Sequence, residues 1–289
     1  MANLDYSSPS SVKEVVKILT AAKGKAKVMA GGTDLLVQLR AGRLKASTIV
    51  DVKNISELRT IKKEKNGFTI GAAVSGAELG AHKAVNKAWP GVIEGLELIG
   101  STQIQGRASL GGNLCNGSPA ADGVPGMIAA GATCLIAGPK GTRTVPVEKI
   151  VVSPGKTSLK SGEFLVSFFL PNRPKKSGDA YLRFIPRTEM DIAVVGVGVS
   201  LTLDKKGMCT DARVSLGAVA PTALLVKNCA NALIGTHIDE DALNALSEAA
   251  SSACNPIDDK RGTIKYRTKV AGVLARRATV IALKRARKN

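Results

Sequence analysis

Aromatic side chains, paired cysteines and long apolar runs are all scarce in this sequence of 289 residues. Phe, Trp and Tyr make up only 3%, too few for the basic–aromatic interleaving on which single-strand nucleic-acid binders stack bases. Five cysteines (Cys115, Cys134, Cys209, Cys229 and Cys254) are an odd, scattered set with no C-x-x-C. That argues against a disulfide framework, and against an iron–sulfur cluster or zinc held by this chain alone; it fits a reducing, cytoplasmic setting. No apolar run approaches the roughly 20 residues of a membrane-spanning helix. The opening Met1-Ala2-Asn3-Leu4-Asp5-Tyr6 has no basic segment followed by an apolar one, so no export signal is expected. His82 and His237 are the only histidines. Neither has a neighbour suggesting a metal site or a triad, so both are expected to be structural or surface residues.

What is abundant is positive charge. Lys and Arg number 41 against 23 Asp and Glu, a net +18. Half of the excess lies in residues 258–289, where eleven Lys or Arg accompany two Asp. Such a stretch reads as a docking face for acidic partner subunits or as a well-solvated helix. Nucleic acid is disfavoured by the missing aromatics. The apolar share of 44% is enough for a sizeable core.

The pattern along the chain is α+β in three pieces. Ser10-Ser11 ahead of Val12, Val15, Val16 and Leu19 predicts a capped amphipathic helix, with Glu14 in the capping-box position if Ser11 is the cap. Residues 25–30 read as a short strand, 35–41 as a helix stopped by Gly42, and 47–52 as a second strand: a compact parallel crossover. A second piece begins near Glu57. It has a strand at 68–74, a helix over 88–99, a glycine-rich loop from Ser109 to about Pro125, a short helix at 127–131, and strands at 133–137, 144–146 and 163–170. Composition turns linker-like at 173–178. Beyond it, 192–203 and 211–218 alternate as strands, and 239–253 and 263–285 read as helices. In the last helix Val270, Leu274, Ala278 and Ile281 repeat at helical spacing. The expected units are 1–56, 57–176 and 177–289.

Two glycine-rich segments are the candidate binding elements. In Ala30-Gly31-Gly32-Thr33-Asp34-Leu35 the glycines allow unusual backbone angles and close ligand approach. The amides that follow lack partners within the helix, and Thr33 adds a hydroxyl, which suits a phosphate or pyrophosphate. Asp34 would repel phosphate face to face, so it is expected to accept from amides or a ligand hydroxyl. The string is neither G-x-G-x-x-G nor a phosphate loop, and a tight turn with a helix cap also accounts for it. The second segment, Ser109-Leu110-Gly111-Gly112-Asn113-Leu114-Cys115-Asn116-Gly117-Ser118-Pro119-Ala120-Ala121-Asp122, offers several donors to a large polar ligand. Its plain alternative is a long surface loop, although long ordered loops are usually functional.

Four segments occur in the order and spacing of one family: K-V-M-A-G-G-T-D-L-L-V-Q-L, S-L-G-G-N-L-C-N-G-S-P-A-A-D, S-P-G-K-T-S-L-K-S-G-E-F-L-V-S-F and Y-L-R-F-I-P-R-T-E-M-D-I-A-V-V-G. They resemble the FAD-binding medium subunits of molybdenum hydroxylases, of the xanthine dehydrogenase and carbon monoxide dehydrogenase type, from about Asp5 to the C-terminal helix. The resemblance implies a two-subdomain FAD-binding fold of the PCMH/vanillyl-alcohol-oxidase type. A C-terminal α+β domain would follow, with a three-stranded antiparallel sheet plus helices. It implies that Lys27, Val28, Met29, Ala30, Gly31, Gly32, Thr33, Asp34 and Leu35 wrap the FAD pyrophosphate. Ser109, Leu110, Gly111, Gly112 and Asn113 would cradle the dinucleotide from the other side, with Ser118 further along. Asp122 would bind a ribose or ribityl hydroxyl, and the Leu165 backbone the adenine or flavin portion. Arg183 would stand near the isoalloxazine, with Tyr181 and Phe184 as neighbours for the same place.

The resemblance also implies a molybdopterin-binding large subunit and a 2Fe–2S small subunit as partners, in a dimer of heterotrimers. Electrons would run from the clusters through FAD to NAD, a quinone or dioxygen. No side chain here need act as acid, base or nucleophile, no metal is expected on this chain, and Cys115 is expected as packing filler. Two other readings compete. A stand-alone FAD-dependent oxidoreductase of the same fold needs an acid–base residue beside the flavin, which the sequence does not display. A non-enzymatic basic binding protein would be colourless and bind polyanions with a steep salt dependence.

Overall fold

The computed structural model describes residues 4–289; Met1, Ala2 and Asn3, where the reading of the N-terminus began, lie outside the described residues. The first unit comprises β1 (Asp5–Ser7), α1 (Val12–Ala21), β2 (Ala26–Met29), α2 (Leu35–Arg40) and β3 (Thr48–Asp51). Its strands form a parallel sheet in the order β1-β3-β2, so β2, α2 and β3 make the expected crossover. Ser11 does start α1, its hydroxyl accepting from the Glu14 amide at 3.3 Å. The Glu14 carboxylate reaches one residue further back than a capping box requires, to the Ser10 amide at 2.8 Å. Val15 and Leu19 on α1 are buried in a core shared with Val50, Leu58 and Phe164.

The second unit runs through β4 (Ile61–Glu64), β5 (Gly67–Gly71), α3 (Gly76–Gly80), α4 (Lys83–Ala88), α5 (Pro90–Glu97), α6 (Thr102–Gln105), α7 (Leu110–Cys115) and α8 (Gly123–Ala129). It continues with β6 (Thr133–Gly138), β7 (Gly141–Pro146), β8 (Val151–Ser153), β9 (Lys156–Thr157) and β10 (Phe164–Pro171). Five strands form an antiparallel sheet, β4-β5-β10-β6-β7. Lys62 and Lys63 are exposed on the edge strand β4 and blunt it against strand addition. Trp89, Met127, Ile128 and Phe168 fill the core between sheet and helices. The expected strand at 68–74 ends early, because Ser75 caps α3 in a reciprocal capping box with Glu78. His82 caps α4, its Nδ1 accepting from the Val85 amide at 3.3 Å. The glycine-rich segment corrects the sequence reading: it is two short helices rather than one loop. Ser109 caps the first through the Gly112 amide at 3.1 Å, and the Asn113 side chain receives the Gly123 amide of the second at 3.1 Å.

The third unit contains β11 (Ser177–Phe184), β12 (Val195–Leu203), β13 (Cys209–Gly217), β14 (Leu224–Leu225), α9 (Lys227–Leu233), α10 (Glu240–Ser252) and α11 (Ile264–Lys288). The three strands that the resemblance implied are joined by a fourth, two-residue strand, in the antiparallel order β11-β12-β13-β14. The buried stripe of α11 is Ala271, Ala275, Ala278, Ala282 and Ala286 with Leu274 and Leu283, while Val270 and Ile281 lie at its margin. Small side chains let the helix approach closely: a Cβ on Gly178 would lie 2.0 Å from the Ala282 carbonyl oxygen. No helix among the described residues is long and apolar enough to cross a membrane.

Polar contacts join the third unit to α5. The Asp179 carboxylate takes the Gly91 amide at 2.7 Å and Arg173 at 2.5 Å. Glu94 accepts from the Tyr181 amide at 2.8 Å and pairs with Arg285 of α11.

Candidate cofactor-binding site

A cleft of about 740 Å³ opens between the first and second units, towards the upper end of the range of about 300–1,000 Å³ for small-molecule sites. All of residues 27–35 line one side, carried there by β2 and the start of α2. Ser109, Gly111, Gly112 and Asn113 line the other, on and just before α7, and Leu165 of β10 lies between. The two sides meet backbone to backbone. A Cβ on Gly31 would lie 1.8 Å from the Arg107 carbonyl oxygen; within the second unit, one on Gly111 would lie 2.3 Å from that of Ala72. Away from this contact, and among the described residues, a single side-chain bond spans the opening, Gln38 Nε2 to Asn116 Oδ1 at 2.8 Å.

The chemistry of the walls is that of an anion-and-ring binder. Among the described residues, no backbone amide from Gly31 to Asp34 has a protein acceptor. Gly32 holds φ +77, which only glycine adopts at low cost. On the facing helix, a Cβ on Gly112 would meet only the Ser109 hydroxyl, at 3.4 Å, so that surface is bare backbone. Lys23, Lys27 and Lys160 also line the cleft. Glu163 is taken up by Arg143, with bonds at 2.7 and 2.9 Å, and that pairing, against the opposing effect of burial, holds its carboxyl below the usual range. Asp34 sits at the solvent-accessible rim and makes no cap hydrogen bond; desolvation by the surrounding chain pushes its carboxyl up. Burial pushes the Cys115 thiol up to about 12, so it is not a thiolate at neutral pH. Free amides facing glycine backbone, lysines at the margin and apolar Val52, Ala73 and Leu165 suit a dinucleotide with a pyrophosphate and two ring systems. FAD fits this donor set.

Four of the expected residues are placed elsewhere. Leu110 is buried beneath α7, in the core of its unit. The Ser118 hydroxyl accepts from the Ala120 amide at 3.2 Å. Asp122 is 7% exposed and accepts from Arg183 and from the Tyr181 hydroxyl, each at 2.8 Å; Arg183 donates also to the Leu98 carbonyl at 2.8 Å. The acid and the base assigned to separate parts of the ligand thus satisfy each other, in a buried pair that bonds the carbonyl of Leu98, next to cleft-lining Ile99. Burial raises the Asp122 carboxyl despite the opposing pull of Arg183 and Tyr181. Sequence reasoning missed Gln38, Asn116 and the turn from Lys160 to Glu163, all of which line the cleft. The segment S-P-G-K-T-S-L-K-S-G-E carried that turn, yet only Leu165 was taken from its neighbourhood.

Comparison with known proteins agrees with this geometry. The family model described as the FAD binding domain in molybdopterin dehydrogenase matches residues 2–173, and that of the CO dehydrogenase flavoprotein C-terminal domain matches residues 180–281. The carbon monoxide dehydrogenase medium chain of Hydrogenophaga pseudoflava is 32% identical over 95% of each chain. The xanthine dehydrogenase FAD-binding subunit of Escherichia coli O157:H7 is 30% identical over 91% of this chain and 90% of that one. The solved carbon monoxide dehydrogenase of Hydrogenophaga pseudoflava that lacks the Mo-pyranopterin moiety superposes with a TM-score of 0.94 at 31% identity, covering 98% of both chains. The chain therefore belongs to the molybdopterin-dehydrogenase FAD-binding family, with the CO dehydrogenase flavoprotein C-terminal domain behind it, and is an FAD-dependent oxidoreductase subunit of the molybdenum hydroxylase type.

Proposed function

We propose that FAD lies in the cleft between the first two units, and that the chain relays electrons from iron–sulfur clusters of a partner subunit to an acceptor. The observation that carries the placement is the row of unpartnered amides from Gly31 to Asp34 opposite the bare backbone of Gly112. Those amides donate to the pyrophosphate, and Lys27 adds charge beside them. Ser109, Gly111 and Asn113 hold the opposite face, and Leu165 offers apolar surface to a ring. Leu110, Ser118, Asp122 and Arg183 support the wall from behind. Bound there, FAD supplies the exchange between one-electron carriers and a two-electron acceptor such as NAD, a quinone or dioxygen. The chain's own part is to bind, orient and exclude water, since its cleft offers no thiolate and no histidine.

The relatives named as medium chain or FAD-binding subunit support partners of two kinds: a molybdopterin-binding large subunit and a 2Fe–2S small subunit. We assign the three units to 1–56, 57–176 and 177–289, the first two embracing the cofactor. Titration of the purified chain with FAD, followed by quenching of flavin fluorescence, tests the placement. Gly32→Val should abolish binding while leaving the far-ultraviolet circular dichroism unchanged, because a β-branched residue is strained at φ +77. A variant that stays fully yellow refutes the placement.

A further inference from the structure

One charged cluster stands beside the cleft. Lys53 follows β3, and its ammonium donates to both oxygens of Asp51, at 2.7 and 2.6 Å, and to the carbonyl of Ala30 at 3.0 Å. An ammonium has three donors, and these contacts use all of them. Asp51 is 7% exposed and is held from two further directions, by the Lys53 amide at 3.0 Å and the Tyr6 hydroxyl at 2.8 Å. Burial alone would raise its carboxyl, but the bonds from Lys53 and Tyr6 outweigh it and hold the group below the usual range. The cluster is therefore a fixed, charged clamp with one outward product, its grip on Ala30.

That grip comes where the sheet runs out. The ladder between β2 and β3 ends at Met29 opposite Asp51, with the Val52 amide on the Met29 carbonyl at 3.1 Å. The next carbonyl, of Ala30, has no strand partner, and the Lys53 side chain takes the place of one. A trans peptide is planar, with its carbonyl and its N–H pointing opposite ways. Ala30 and Gly31 line the cleft and Lys53 does not. Holding the Ala30 oxygen on the Lys53 side therefore turns the Gly31 N–H away from Lys53, towards the cleft.

We propose that Lys53, locked by Asp51, is a positioning residue for the cofactor: it fixes the Ala30–Gly31 peptide so that the Gly31 amide points at the pyrophosphate. The claim rests on the placement of FAD in this cleft. Because the Lys53–Asp51 pair is neutral overall, its effect is on direction rather than on net charge, and removing both members together leaves no unpaired carboxylate.

The test uses the full chain with Asp51→Asn and Lys53→Met combined, and Lys53→Arg alone. FAD affinity, the phosphorus-31 resonances of bound FAD and the unfolding midpoint of the apoprotein are measured. The double variant should bind FAD roughly tenfold more weakly, as expected for one misdirected hydrogen bond to a charged group. Its phosphorus resonances should shift while the apoprotein midpoint stays near that of the wild type, and Lys53→Arg should keep near-normal affinity. Unchanged affinity and unmoved resonances in the double variant, or an affinity loss that Lys53→Arg shares, overturn the proposal. Should the double variant not fold, Lys53→Gln is read by the same criteria. If Gly32→Val retains FAD, the placement of the cofactor fails. If Gly32→Val loses it and the double variant binds normally, only the role of Lys53 fails.

Discussion

At the residue scale, two glycines of the same cleft have opposite reasons to be glycine. Gly31 is pressed against the Arg107 backbone, where a Cβ would sit 1.8 Å from a carbonyl oxygen. Gly112 is in a helix, with only a hydroxyl at 3.4 Å in the way of a Cβ. Gly31→Ala should therefore force the loops apart and lower both stability and FAD affinity. Gly112→Ala should leave stability unchanged or raise it by about 0.5–1 kcal/mol, the usual helix gain over glycine, while lowering FAD affinity through crowding of the cleft. Urea denaturation and flavin titration of the two variants check the contrast; equal losses of stability would contradict it. The sequence marked both positions, through two glycine pairs at element boundaries. It did not show that Gly31 answers to Arg107, because that contact is made only when distant segments fold together. Nor did it show that Asp122 and Arg183 pair with each other, since each looks like a free ligand group until the sheet brings β11 against α8.

At the scale of elements, α5, β11 and α11 are tied by a chain of charges whose pH response can be worked out. Burial pushes the Asp179 carboxyl up to about 6, against the pull of Arg173 and the Gly91 amide. A raised acid binds its proton more tightly when folded. Its contribution to stability is thus fully present below its ordinary value of 3.8 and is lost as pH rises through about 6. Between pH 5 and pH 7 the stability of the wild type, relative to Asp179→Asn, should fall by on the order of 1 kcal/mol. Urea midpoints of both proteins at the two pH values measure this, and a difference of the opposite sign would show that ionised Asp179 stabilises the joint. The helix α1 was legible from its cap at Ser11 and α11 from its apolar spacing, whereas the caps at Asp239 and Thr263 emerge only in the structure. By contrast α7 and the first turn of α8 were read as loop, because Gly111, Gly112, Gly123 and Pro125 have poor helix propensity and tertiary packing overrides it; the helix expected at 127–131 is the end of α8, which begins at Gly123. The two-residue β14 and the one-and-a-half turns of α4 are too short to leave a periodic signal.

At the scale of the molecule, the cleft proposed for the cofactor is lined by two units rather than one, and a ligand bound there stabilises the folded chain by mass action. Saturation at a hundred times the dissociation constant should stabilise the folded chain by about 2.7 kcal/mol. The unfolding midpoint should rise with FAD concentration in the wild type and stay flat in Gly32→Val; a rise in both would mean that the flavin binds elsewhere. The break at 173–178 could be read from composition, because a stretch with Pro, Gly and Lys interrupts two patterned regions there; it falls where β10 gives way to β11. The cleft could not, since its two walls share no local sequence.

The opening has one immovable side and one that parts easily. Gly31 against Arg107 is main chain on main chain, whereas Gln38 and Asn116 share one neutral bond, worth about 1 kcal/mol. For a flavin placed in the cleft as proposed, the Gln38 side is therefore the one that costs less to open. A neighbouring protein that covered this edge would trap whatever had already entered.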